Sequence, residues 1–250
     1  MTDGVAIVTG AGAGLGRALA IGLATKGVTV VGLGRSGDAL AETGGLAGKG
    51  FHPVVADVAD PASVAAAFAW ADAIGPVTLL INNAAVYPRR DILDETPNTF
   101  QDTMAVNLGG VVACTHEALG RMVRTGQGRI VNVASFADIA PMAASSAYSV
   151  SKGAARVFTR AVVADLGDRF PGIIITDWLP GRLATRMGIP DGLDPATAAA
   201  WGVQLALWTD RSLNGTTWEM DTELLPPRGL KGRIKDKLTF RSAPAPRKLG

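Results

Sequence analysis

Seven short runs rich in branched apolar residues punctuate this chain, and stretches of helix-like apolar spacing lie between them. The runs are Val5–Thr9, Val28–Leu33, His52–Ala56, Val77–Asn82, Arg129–Ala134, Gly172–Thr176 and Thr216–Met220. The helix-like stretches are Leu15–Lys26, Asp38–Leu46, Pro61–Ala73, Asn98–Arg124, Ala147–Arg169 and Pro195–Thr209. Such alternation predicts a parallel sheet, because parallel neighbours need a crossover and a helix is the usual one. Runs such as VAIVT and TLLIN are apolar throughout rather than at alternate positions, as strands covered on both faces require. Asp60-Pro61 and Asp194-Pro195 each read as an N-cap followed by proline in the first turn. The expected fold is α/β: a doubly wound, mostly parallel seven-stranded sheet with helices on both faces.

With 250 residues, 48% of them hydrophobic, the chain can bury one sizeable core, and a disordered chain is excluded. The net charge of +2 hides an asymmetry. Residues 226–250 carry eight Lys/Arg against one acid, Asp236, a net +7 that leaves −5 on residues 1–225. A single domain over 1–225 with a basic C-terminal tail over 226–250 is therefore expected. The tail reads first as a solvated extension. It holds none of the chemical motifs, so any role it has is in assembly or partner contact. Cys114 is the single cysteine, which excludes an intrachain disulfide and a cysteine metal cluster; with only His52 and His116 as histidines, no metal site is expected. No run approaches the ~18 apolar residues of a membrane span. The start, MTDGVAIVTG, lacks the basic region and cleavage pattern of a signal peptide. A cytoplasmic protein with no nucleic-acid or membrane partner is the reading.

The first run leads straight into Thr9-Gly10-Ala11-Gly12-Ala13-Gly14-Leu15-Gly16, and a helix follows. Free N–H groups and the dipole at a helix N-terminus favour a phosphate, and glycines remove the Cβ atoms that would keep a diphosphate away. An acidic side chain after the second run would accept from the ribose 2′-OH of NAD. This chain has Gly34-Arg35-Ser36 there, with no carboxylate. Arg35 offers a charged planar fork for a 2′-phosphate, and Ser36 adds a donor. Asp57, followed by Val58, ends the third run and could accept from an adenine amino group or cap the turn. NADP is thus favoured over NAD, although Ala13 is not the basic residue that would give a second clamp.

Tyr148 and Lys152 stand at i, i+4 on one helical face. A neighbouring cation favours a phenolate, which would bring a Tyr toward acid/base work near neutral pH. Ser135 closes the fifth run, where a hydroxyl faces the crevice in which open α/β sheets bind ligands. Asn107 lies inside a helix, where Asn is disfavoured, so it should anchor a relay water or distort the helix.

Together these residues resemble the short-chain dehydrogenase/reductase family over about residues 3–222. The T-G-x-x-x-G-x-G motif is Thr9–Gly16, and N-N-A-G appears as Asn82-Asn83-Ala84-Ala85. The helix Asn is Asn107. Ser135 precedes Tyr148 by thirteen residues, Y-x-x-x-K is Tyr148 and Lys152, and P-G-x-x-x-T is Pro180–Thr185. The resemblance implies a Rossmann-type sheet and an NADP(H)-dependent oxidoreductase interconverting a ketone and a secondary alcohol on a small metabolite, in the reductive direction. It implies that Tyr148 is the general acid/base and that Lys152 lowers its pKa and binds the nicotinamide ribose. Ser135 would orient the substrate oxygen, and Asn107 would hold the relay water. Gly10, Gly14, Leu15 and Gly16 would surround the diphosphate, and Asn83, Ala84 and Ala85 would line the adenosine ribose. Pro180, Gly181, Leu183 and Thr185 would hold the nicotinamide amide. A homo-oligomer, dimer or tetramer, is also implied.

This chain departs from the family pattern at three places: Ala85 replaces Gly, Arg186–Asp194 is short for a lid, and Met220–Glu223 replaces a D-G-G turn. Tyr87, Phe136, Ile139, Met142, Trp178 and Met187 either line a substrate pocket or pack in the core. Arg89 and Arg90 read as solvated, and Arg182 would meet a substrate carboxylate, Asp138 or Asp177. A β-ketoacyl-carrier-protein reductase is an alternative. A non-catalytic dinucleotide sensor is opposed by the presence of all four catalytic residues.

Overall fold

A computed structural model describes residues 4–226 and 245–250 of the chain. The strands are β1 (Val5–Thr9), β2 (Thr29–Gly34), β3 (Phe51–Val55), β4 (Val77–Asn82), β5 (Gln127–Val133), β6 (Gly172–Leu179), β7 (Thr217–Glu219) and β8 (Thr222–Leu224). The main helices are α1 (Gly14–Thr25), α2 (Gly37–Ala47), α3 (Pro61–Asp72), α4 (Pro97–Met104), α5 (Gly110–Thr125), α6 (Ser146–Leu166) and α7 (Pro195–Leu207). Four of these helices begin on a side-chain cap: Ser36, Asp60, Thr96 and Asp194 each accept from a backbone N–H of the first turn.

The sheet order is β3-β2-β1-β4-β5-β6-β7-β8. The first seven strands are parallel, and β8 runs antiparallel to β7. Order reverses between β1 and β4, which opens the crevice at their carboxyl ends. Alternate strand residues point to opposite faces. Ala6 and Val8 meet Leu19 of α1 and Val203 of α7 on one side, whereas Val5 and Ile7 share the other core with Phe68 of α3 and Met122 of α5. Each fully buried Leu or Phe in these two layers contributes about 1.5–3 kcal/mol. Cys114 fills part of the second layer, where burial pushes its thiol up to about 12.

Three expectations are corrected. The sheet has eight strands rather than seven. Met220, at φ 50, turns the chain back after β7, and the short β8 pairs with it. The helical stretch Asn98–Arg124 is interrupted by a π-helical segment, Ala105–Gly109, with Asn107 at its centre. The tail is not wholly a solvated extension. Residues 227–244 lie outside the described residues, but residues 245–250 dock on the domain. Thr222 and Lys248 form an antiparallel bridge, Leu249 enters the core, and Arg247 pairs with Glu223 of β8 at 2.8 Å. Among the described residues no helix is long and apolar enough to cross a membrane.

Candidate active site

The carboxyl ends of β1, β4, β5 and β6 deliver the sequence-marked residues to one edge of the sheet. At β1, Gly10 and Gly14 adopt φ of 68° and 51°, a region that costs other residues about 1–2 kcal/mol. A Cβ on Gly16 would stand 2.1 Å from the Gly10 carbonyl oxygen, so only glycine lets the helix approach its own loop this closely. Unlike the four capped helices, α1 begins on Ala13 with no side-chain cap and no acidic residue in its first turn. Its N-terminal N–H groups therefore suit an anion. Thr185, from the segment after β6, sits over this loop, its methyl 3.2 Å from where a Gly14 Cβ would stand. Pro180 and Leu183 are buried beneath that segment, and Gly181 turns it with φ 89. A diphosphate dinucleotide fits this donor set.

The neighbouring residues divide between ligand-facing and structural positions. Asn83 donates from Nδ2 to the Thr9 carbonyl, while its N–H and that of Ala84 donate to Thr9 Oγ1, each at 2.9 Å. These bonds splice Asn83 and Ala84, at the β4 exit, to the start of the glycine loop. Arg35 is exposed at the end of β2, whereas the Ser36 oxygen already caps α2. Asp57 Oδ1 accepts from the Ala59 N–H and so caps its turn, and Val58 is buried against α5.

Tyr148, two residues inside α6, projects beside Ser135 at the exit of β5. Lys152, one turn further on, is only 5% exposed and donates to the Val133 carbonyl at 2.8 Å. Its ammonium lies 5.9 Å from the Tyr148 ring centroid. Burial lowers the Lys152 pKa to about 8, and the Asp177 carboxylate opposes that fall. Burial likewise raises the Tyr148 phenol above its ordinary value; Ser135 lowers it by hydrogen bonding and Tyr87 adds to the rise. Lys152 is not among the groups that shift the phenol in the protein alone.

Asn107 is fully buried and forms a two-way clasp with Val86, accepting from its N–H at 2.7 Å and donating to its carbonyl at 2.9 Å. A third bond, from Nδ2 to Ser151 Oγ at 3.0 Å, ties the π segment to α6. Of the two roles expected for Asn107, helix distortion is the one this geometry displays.

Several other expectations are sorted by position. Trp178 is core, not pocket: it is fully buried, and its indole N–H donates to the Met220 carbonyl. Phe136, Ile139, Met142 and Met187 are exposed near the mouth of the site. A cleft of about 310 Å³ lies between Arg90–Ile92 and Pro141–Ser146. Arg89 is not simply solvated; it donates to the Met187 and Gly188 carbonyls at 3.0 and 2.6 Å. Arg90 faces Glu95 at 3.5 Å. Asp138 pairs with Arg156 at 2.6 Å, and Asp177 accepts from Thr159 at 2.7 Å, so other groups serve the acids considered for Arg182.

Two supporting groups escaped the sequence reading. Arg17 bonds to the Gly12 carbonyl, Thr43 and Glu42, locking the glycine loop to α2. A buried chain Asn82–Asn132–Thr159–Asp177 crosses beneath the site in bonds of 2.7–2.9 Å. Asn and Asp inside otherwise apolar runs were its available signal.

Comparison with known proteins shows the family. The profile of the short chain dehydrogenase family matches residues 4–194. Galactitol 2-dehydrogenase (L-tagatose-forming) of Cereibacter sphaeroides is 35% identical over 201 residues, covering 78% of each chain. The 2-(R)-hydroxypropyl-CoM dehydrogenase of Xanthobacter autotrophicus is 36% identical over 191 residues, covering 73% of this chain and 76% of that one. A solved short chain dehydrogenase/reductase family protein superposes with a TM-score of 0.80 at 29% identity, over 88% of this chain and 97% of that one. The chain belongs to the short-chain dehydrogenase family. That family comprises oxidoreductases that use nicotinamide dinucleotides on small-molecule alcohols and ketones.

Proposed function

We propose that this enzyme reduces a small ketone to a secondary alcohol at the expense of NADPH, with Tyr148 as proton donor. The observation that carries the reading is the meeting of Ser135, Tyr148 and Lys152 at the sheet edge that also holds the uncapped N-terminus of α1. When bound, the dinucleotide supplies the hydride. Tyr148 gives its phenolic proton to the carbonyl oxygen as negative charge develops there. The Ser135 hydroxyl donates to the same oxygen and fixes its position. Lys152, held by Val133, favours the phenolate left behind and is placed to bind the nicotinamide ribose. Asn107 keeps Val86 and α6 in register around the phenol. The exposed apolar residues at the mouth suit an uncharged carbonyl compound. The relatives are named for oxidation of hydroxyl groups, galactitol among them, which supports secondary-alcohol chemistry.

Arg35 supports NADPH over NADH. It is exposed at the end of β2, and Gly34 leaves no carboxylate to repel a 2′-phosphate. A charge-assisted contact of about 1.5–3 kcal/mol corresponds to roughly ten- to a hundredfold in affinity. A screen of ketones by NADPH absorbance finds the substrate, and kcat/KM for both cofactors then tests the preference. Arg35→Ala is expected to lower selectivity for NADPH by about tenfold or more. An NADH preference in the wild type, or unchanged selectivity in the variant, would overturn the assignment. A homo-oligomer is also proposed: Val150 and Val157 expose apolar surface seven residues apart on α6.

A further inference from the structure

The chain contains two tyrosines, and the fold stacks one on the other. The rings of Tyr87 and Tyr148 lie 4.5 Å apart between centroids and 21° from parallel. Tyr87 comes from the connection between β4 and α4, just past the Val86 that Asn107 clasps. The Arg89 guanidinium lies over the Tyr87 ring, 5.3 Å from its centroid. The same guanidinium reaches across the mouth to the Met187 and Gly188 carbonyls. Those carbonyls belong to a loop closed at its base by Ala184 N–H to Leu193 O and Leu193 N–H to Arg182 O, at 2.8 and 2.7 Å. Arg89 holds this position at φ 54, a left-handed backbone that a non-glycine residue keeps only where its surroundings enforce it. Strained residues of this kind gather at ligand clamps.

We propose that Tyr87 is a positioning residue for the Tyr148 phenol, and that Arg89 pins Tyr87 while tying it to the 183–193 loop. The wall on the substrate side is then a preassembled ladder of Arg89, Tyr87 and Tyr148, bound to the loop that the cofactor-binding Thr185 also belongs to. Offset aromatic stacking and a cation over the ring each favour this order. The groups facing the phenol are Lys152 from its own helix, Ser135 from the end of β5, and Tyr87. Tyr87 also helps to bury the phenol and acts on its titration. The inference rests on Tyr148 as acid/base, but its first test does not.

Because these are the two tyrosines of the chain, ultraviolet titration of tyrosinate reads the pair directly. In Tyr87→Phe and Tyr87→Ala only Tyr148 remains, and the ladder predicts different curves. Phe keeps the stack and a raised phenol, whereas Ala lets water in and moves the step down toward the ordinary value near 10. Kinetics on a ketone found by screening should follow. Tyr87→Ala and Arg89→Met should lose kcat by about tenfold through misplacement of the phenol, with KM for NADPH little changed, and Phe at 87 should restore most of what Ala loses. Superimposable titrations for the Phe and Ala variants, with equal kcat, would overturn the proposal. Failure of the acid/base reading looks different: Tyr148→Phe would then keep its turnover whatever residue 87 is. Should Tyr87→Ala not fold, kcat of Arg89→Met decides: a loss of about tenfold supports the ladder, and wild-type kcat overturns it.

Discussion

A lysine that is only 5% exposed costs stability wherever it carries its charge, and Lys152 is such a residue. Its pKa is about 8 in the folded protein against an ordinary 10.5. Between these values the unfolded chain binds more protons than the folded one, so stability rises with pH across that window. Below about 8 the cost is present in full. Lys152→Met should therefore raise stability at neutral pH, by on the order of 1–3 kcal/mol, while abolishing turnover. Urea unfolding of both proteins measures the first effect; a variant less stable than wild type would contradict it. The same titration predicts that ketone reduction falls above about pH 8 as one proton leaves Lys152. A rate that stays flat through that window would show that the ammonium is not needed.

Elements differ in how far the sequence announced them. The seven parallel strands and their helices were legible because burial on both faces leaves a long apolar run, and because caps such as Asp60-Pro61 mark helix starts. The π segment was less so. A helical period continues through Ala105–Gly109, and only the misfit of Asn107 hinted at a distortion whose cause is a clasp to Val86, distant in sequence. Strand β8 is three residues long and depends on Met220 taking a left-handed turn, which no local residue preference requires. At the site, the residues proposed to bear the chemistry were picked out by their spacing. Their supports were not, since Arg17, Arg89 and Tyr87 act through tertiary contacts. Arg129 shows the same limit. It reads as the polar start of a strand, yet it is fully buried and bonds to Ile130, Ile174, Thr176 and Leu205, joining β5, β6 and the last turn of α7.

At the scale of the whole molecule, the far end of the chain completes the sheet edge. Arg247 makes two bonds of 2.8 Å to the Glu223 carboxylate, while its guanidinium carbon lies 5.6 and 5.7 Å from the Trp208 and Trp218 rings. Arg247→Ala is expected to destabilise the fold by about 2 kcal/mol, read from the urea midpoint. Unchanged stability would mean that residues 245–250 rest on the domain without holding it. Kinetic parameters should move little in that variant, because the contact is with β7, β8 and the segment after α7 rather than with the carboxyl edge that bears Tyr148. The most direct measurement is single-turnover and steady-state ketone reduction by wild type and Tyr148→Phe, with NADPH binding followed by fluorescence in both. Unchanged NADPH affinity and a kcat lower by about a hundredfold or more are expected in the variant. Near wild-type turnover by Tyr148→Phe would contradict Tyr148 as proton donor.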